Sequence, residues 1–258
     1  MGKSIFDLSW NEDGFFAKLH LIIKSESETK KAWQLRVNKS CVNRGGGIAQ
    51  WKNKQRDVLS ALSSAYYSVA GSCFSWVRRP PVFLSKKNPL VVLEIIFRVF
   101  QIPFWLLLGA YCFIRMLPTS DKMLSIAGGY ENLTADQCDI RQSILRRYRN
   151  WEEALECIEY GARKNPSLHC EALLLVGKSY CRMNLGYLTW KDDVVGYLDR
   201  MLEISIQTIK DNPHQTSRIL RHCADLGRMV SNNESDLCRL RAEQLAQQVG
   251  AKDQLLKI

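Results

Sequence analysis

The chain of 258 residues has room for one or two modest domains, and its 46 % hydrophobic and 24 % charged composition is that of a folded protein rather than a disordered one. Its formal charge of +10 belongs to one end: residues 1–88 hold 15 Lys+Arg against 6 Asp+Glu, whereas residues 118–258 hold 19 of each. Nine cysteines with no C-x-x-C pair argue against a zinc site, and basic residues just ahead of an apolar run suit lipid headgroups rather than nucleic acid.

Residues 1–16 lack the apolar core of a secretory signal, and Gly2 is followed by Phe6 where a myristoylation motif requires Ser or Thr. Residues 15–23 (FFAKLHLII) and 32–37 (AWQLRV) alternate apolar and polar side chains in part, so the pattern predicts a small β-hairpin. Residues 38–56 follow, with Gly45, Gly46 and Gly47 in a row and Arg44, Lys52, Lys54 and Arg56 around them. A glycine triplet without a following Lys-Ser/Thr is not a phosphate loop. Residues 1–56 are read as a basic N-terminal region whose cations, interleaved with Trp33 and Trp51, suit anionic lipid headgroups at about 1 kcal/mol each.

Residues 57–78 enclose twenty uncharged residues, VLSALSSAYYSVAGSCFSWV. Ser60, Ser64, Ser68 and Ser72 recur every four residues, and in a helix they form a narrow face on which another helix can pack closely. This predicts a helix beside the next element, ended by Arg79-Pro80-Pro81 because the residue before a proline avoids helical geometry.

Residues 89–117 (PLVVLEIIFRVFQIPFWLLLGAYCFIRML) are the most apolar stretch of the chain. A bilayer core of about 30 Å needs roughly 20 apolar residues in a helix, and this run is long enough. Glu94, Arg98 and Gln101 fall on one stripe, and Pro103 removes a backbone donor, which predicts a kink or break. Three placements fit: a kinked single span, a monotopic insertion with both flanks on one side, and a buried core helix. The span is the expectation. Arg78, Arg79, Lys86 and Lys87 precede the run while Lys122 stands alone beyond it, so the positive-inside rule makes the N-terminal side cytoplasmic. Asn132-Leu133-Thr134 and Asn233-Glu234-Ser235 are then glycosylation acceptors if the far side is the secretory lumen.

Residues 118–133 read as a polar connector with Gly128 and Gly129, and residues 134–251 as about six amphipathic helices. Asn165-Pro166 and Asn212-Pro213 lie 47 residues apart, with only weak self-similarity between the segments they close. In YRNWEEALECIEYGARKNP, residues 148–166, Trp151 opens a helix, Ala154 follows three later and Ile158 four after that, Gly161 offers a small contact and Pro166 closes the unit. The next segment, CEALLLVGKSYCRMN, carries Gly177 and Tyr180. This pattern resembles the tetratricopeptide repeat over about residues 134–184. The resemblance implies a mainly α fold in which Ala154, Gly161 and Gly177 let helices approach while Trp151, Ile158 and Tyr180 fill the gaps, and a surface that binds a partner protein or peptide.

No catalytic constellation, cofactor motif or metal-ligand spacing is found. Glu152, Glu153, Glu156 and Glu159 make an acidic helix face that suits solvent or a basic peptide. Cys73 and Cys112, near the apolar run, are candidates for palmitoylation. Together these features describe a membrane-anchored helical-repeat adaptor without enzymatic activity. The alternative is a membrane-remodelling or lipid-handling protein that uses the apolar run as a hairpin wedge.

Overall fold

The structure is a computed structural model that describes residues 12–27, 48–78, 90–208 and 213–230. Among the described residues it is helical with no strand: α1 (Glu12–Ser27), α2 (Ile48–Arg78), α3 (Leu90–Ala127), a 3-10 turn (Tyr130–Asn132), α4 (Ala135–Arg147), α5 (Trp151–Ala162), α6 (Leu168–Asn184), α7 (Trp190–Thr208) and α8 (Pro213–Val230). The chain divides into an N-terminal unit, Met1–Gly129, and a C-terminal unit, Tyr130–Ile258. The boundary falls where Gly128 (φ 80°) and Gly129 (φ 149°) take positive φ, a conformation open to glycine, just after the Gly128 amide caps the Leu124 carbonyl.

In the N-terminal unit α2 and α3 are antiparallel. Trp76 stacks near Trp105 at 5.6 Å, Cys73 meets Gly109, and Tyr66 meets Tyr111 at 6.3 Å, so residue numbers fall along α2 as they rise along α3. The buried residues of α2 include Leu59, Ser63, Tyr66, Ala70 and Cys73, spaced by three and four, and those of α3 include Cys112, Met116, Ser120 and Met123. This is the stripe of an amphipathic helix, and on α2 it runs beside the serine stripe rather than along it. Ser68 of the serine stripe instead accepts from Lys18 Nζ at 3.0 Å.

The first half of the expected hairpin is corrected: residues 15–23 are helical, and residues 32–37 lie outside the described set. Phe15, Leu19 and Ile22 stand at i, i+4 and i+7, and a neighbouring pair of helices rewards that period by burying Phe15 and Ile22. Phe15 packs on Trp105 at 5.9 Å. A two-stranded hairpin offers no such second layer.

A second correction concerns the apolar run. Pro103 does not break it, and the expected connector from Pro118 does not begin there: α3 continues through both prolines to Ala127. An interior proline costs a helix about 3 kcal/mol. Packing on α2 along the buried stripe through Met123 offsets that cost, and the Thr119 hydroxyl donates to the Arg115 carbonyl at 2.7 Å beside Pro118.

In the C-terminal unit each helix packs on the next, and α4 also meets α6 while α6 meets α8. Thr134 and Gln137 form a capping box at the start of α4, and Ser167 caps α6 by accepting from the Cys170 amide. Pro213 opens α8, at the helix position that tolerates its missing donor. Two turns use non-glycine residues at positive φ, Arg149 (60°) and Asn165 (49°). Ala172 and Val176 of α6, Val194, Leu198, Met201 and Ile204 of α7, and Ile219, Cys223 and Leu226 of α8 form one buried cluster. Five of the expected helices are thus described, and residues 231–258 lie outside the described set.

Candidate membrane-binding face

The inner stripe of α3 is taken up by α2, yet the opposite face is just as apolar. Phe100, Phe104, Leu107, Tyr111 and Ile114 fall at i, i+4, i+7, i+11 and i+14, a continuous stripe about 21 Å long at 1.5 Å per residue. All five are exposed, Phe100 at 79 % and Leu107 at 73 %, with Val99 and Leu106 exposed at its edges. A core helix of a soluble protein is mostly buried. Here Val99–Ala127 is long and apolar enough to cross a membrane, and only 17 % of its most apolar stretch is buried in the protein. Contiguous exposed apolar surface of this kind marks an interaction site.

The polar residues near the stripe are of both signs, with Asp57 exposed on α2 and Asp121 on α3 beside the basic ones. Arg115 and Lys122 are exposed on α3, and Lys52 and Lys54 are exposed in the first turns of α2, which the antiparallel register brings alongside the end of α3. Of the four residues singled out on the apolar run, Pro103 is exposed next to the stripe and Gln101 is half-buried. Glu94 and Arg98 fall on α3, with side chains outside the described set. Cys73 and Cys112 are fully buried, so an acyl chain on either has to displace helix packing.

In the C-terminal unit Ala154, Ile158, Gly161 and Gly177 are buried, and Trp151, Pro166 and Tyr180 half-buried. A Cβ on Gly161 would stand 2.9 Å from Cys138 Cβ on α4 and 3.3 Å from the Leu174 methyls on α6. One on Gly177 would stand 2.5 Å from Gln142 Oε1 and 3.0 Å from Ile158 Cδ1. Both glycines therefore sit where three helices meet. Tyr180 lies under the Arg146 guanidinium at 5.4 Å.

Glu153 does not belong to the solvated acidic face. It accepts from Tyr130 Oη at 2.5 Å, from Asn150 Nδ2 at 2.6 Å, and from the guanidinium of Arg141, whose side chain is 3 % exposed. Burial pushes the Glu153 carboxyl up, but the bonds from Tyr130 and Arg141 outweigh it and hold the group below its ordinary range. Burial and the bond to Glu153 push the Tyr130 phenol up. In the sequence the only sign of this cluster was an arginine on the otherwise inward-facing side of α4, a weak signal without a partner to name. Glu152, Glu156 and Glu159 are exposed and keep the acidic face.

Among the described residues no group of three or more His, Cys, Asp or Glu is placed to hold a metal. The Cys157 thiol donates to the Cys138 carbonyl at 3.4 Å, and contact with Cys138 and burial push its pKa up; burial raises Cys181 to about 11. The Cys138 thiol is shifted the other way, held below its ordinary value by its contact with Cys157. No protein-family model, curated protein or solved structure matches the chain.

Proposed function

We propose that the protein is a membrane-attached helical-repeat adaptor: the N-terminal unit holds it to a bilayer and the C-terminal unit binds a partner protein or peptide. The observation that carries the reading is the exposed apolar stripe of α3, which has lipid as its natural solvent. The net charge of +9 over residues 1–88 complements an anionic leaflet. For the C-terminal unit the support is the packing order, in which neighbouring helices pair and alternate helices α4, α6 and α8 touch, as in a stacked repeat. The divergent tetratricopeptide pattern at Trp151, Ala154, Ile158, Gly161, Pro166, Gly177 and Tyr180 agrees with that order, and the exposed Glu152, Glu156 and Glu159 suit a basic segment of the partner.

A second reading draws on the antiparallel α2–α3 pair. A compact apolar wedge in one leaflet expands that leaflet, which is how a remodelling protein bends a membrane. The two readings separate on vesicle shape: at equal bound protein, tubulated or fragmented vesicles favour the wedge, and unchanged vesicles favour the adaptor.

The attachment itself is tested by fractionation of the full chain. The wild type is expected in the membrane pellet and resistant to carbonate. Phe104→Glu with Leu107→Glu, which places two charges on the exposed stripe and touches no buried packing position, is expected to move most of the protein to the supernatant with its helical circular dichroism unchanged. Recovery of the wild type in the soluble fraction overturns the reading.

A further inference from the structure

The first two helices of the C-terminal unit meet through sulfur. Cys138 lies on α4 four residues after the Thr134 cap and Cys157 lies on α5, and both are fully buried free thiols. Gly161, one turn along the same face of α5, has no side chain, so α5 comes near enough to α4 that a Cβ on Gly161 would stand 2.9 Å from the Cys138 Cβ. The Cys157 thiol donates to the Cys138 carbonyl at 3.4 Å and is also within hydrogen-bond reach of the Cys138 sulfur. A disulfide needs Cβ atoms about 3.5–4.5 Å apart, and close contact between two helix backbones is what brings cysteines into that range. The two thiols are not equivalent. The contact with Cys157 holds Cys138 below its ordinary value against burial, with help from Lys164 and Arg141, and the same contact, with burial, pushes Cys157 up. Cys170 of α6 is the third thiol in this neighbourhood, and burial with Asp139 and Asp136 nearby pushes it up as well.

We propose that Cys138 and Cys157 form an oxidation site for a hydroperoxide, with Cys138 as the attacking thiol and Cys157 as the thiol that resolves it to a disulfide between α4 and α5. The Cys138 thiolate sulfur attacks one oxygen of hydrogen peroxide and the O–O bond breaks. The leaving hydroxide takes up the proton that Cys138 has released, which gives water and a sulfenic acid. The Cys157 sulfur then attacks the sulfenic sulfur, the S–O bond breaks, and the hydroxyl leaves with the Cys157 proton as a second water. Two thiols lose two hydrogens and two electrons, and one peroxide becomes two waters. Both sulfurs are buried, so peroxide enters when the first turn of α4 opens, and the end of a helix opens at lower cost than its middle. The sulfenic acid then closes on a thiol already beside it, and the bridge joins the helices at the level where Gly161 meets α4. The site does not depend on how the N-terminal unit meets a membrane.

The test treats the full, reduced chain with a small excess of hydrogen peroxide, blocks the remaining thiols, isolates the monomer on a non-reducing gel and maps its tryptic peptides by mass. Cys138 is the only cysteine of residues 123–141 and Cys157 the only one of residues 150–163. The expected product is therefore one linked pair of these peptides, two hydrogens lighter than their sum and separated again by dithiothreitol. Absence of that pair overturns the proposal, and so does linkage of residues 123–141 to residues 165–178, which hold Cys170. The roles are read from two variants. In Cys157→Ser the sulfenic acid has no resolving thiol, so dimedone is expected to label Cys138 several-fold more than it labels Cys157 in Cys138→Ser. Equal labelling, or the reverse order, overturns the assignment of Cys138 as the attacking thiol. The wild-type map decides the site whether or not the variants fold.

Discussion

Glu153 draws together three elements by accepting from Tyr130 in the 3-10 turn, Arg141 on α4 and Asn150 at the start of α5. Its carboxyl is held below the ordinary value of 4.5, so the folded state binds a proton less readily than the unfolded chain does. The stability it supplies is therefore present above about pH 4.5 and is lost as pH falls through the folded value. We expect Glu153→Gln to lower the thermal midpoint at pH 7 and the gap from wild type to close below pH 4.5; a gap that does not change with pH rejects the assignment. Glu153→Leu removes the Glu153 carboxylate from the buried Arg141 and is expected to cost about 2–3 kcal/mol, less than the about 3–5 kcal/mol of a fully buried pair because Glu153 is one-third exposed. Glu152→Leu, on the exposed face one residue earlier, is expected within about 0.5 kcal/mol of wild type, as measured by urea unfolding.

At the scale of helices, two glycines with identical intrinsic propensity give opposite predictions. Gly161 on α5 has Cys138 Cβ 2.9 Å from where its own Cβ would be, an atom tied to the α4 backbone, so Gly161→Ala must push α5 from α4 and is expected to destabilise by about 1–3 kcal/mol. Gly196 on α7 is exposed with nothing within 4 Å, so Gly196→Ala gains helix propensity and is expected to stabilise by about 0.5–1 kcal/mol. Thermal melts of the two variants check the pair. Shifts of the same sign would mean that α5 does not approach α4 closely. Gly109 plays the corresponding part on α3, where a Cβ would meet Cys73 Cβ at 3.1 Å and the Phe74 ring at 3.2 Å.

At the scale of the molecule the charge is uneven, with +9 over residues 1–88 and none net after residue 118. Attraction to an acidic surface is worth about 1 kcal/mol per Lys or Arg within a Debye length of about 10 Å at 0.1 M salt. We expect the full chain to bind vesicles with one-fifth phosphatidylserine at least about tenfold more tightly than pure phosphatidylcholine vesicles at low salt, and the preference to shrink toward molar salt. Protein already inserted through the α3 stripe should remain bound in high salt, because burial of Phe104 and Leu107 is not screened. Equal, salt-independent binding to both vesicles would remove the electrostatic part of the reading.

Helix content, the position of the apolar run, the punctuation near Pro166 and the packing of small residues near Trp151 were legible in the sequence, because each depends on local periodicity or on the conformational limits of glycine and proline. The sequence also contained the exposed stripe of α3 in a negative form: residues 99–114 carry no charge on any face, so one apolar side had to remain after a neighbouring helix took the other. Three things were decided only in the tertiary structure. Residues 15–23 alternate like a strand and also recur like a helix, and the α2–α3 pair selected the helix by burying Phe15 and Ile22. Pro103 and Pro118 are local helix breakers, and packing along α2 overrode both. Glu153 looks like its neighbours Glu152 and Glu156, and it is the buried Arg141, twelve residues earlier, that sets it apart. In each case the deciding partner lies on another helix, and a residue pattern within one segment contains no record of it.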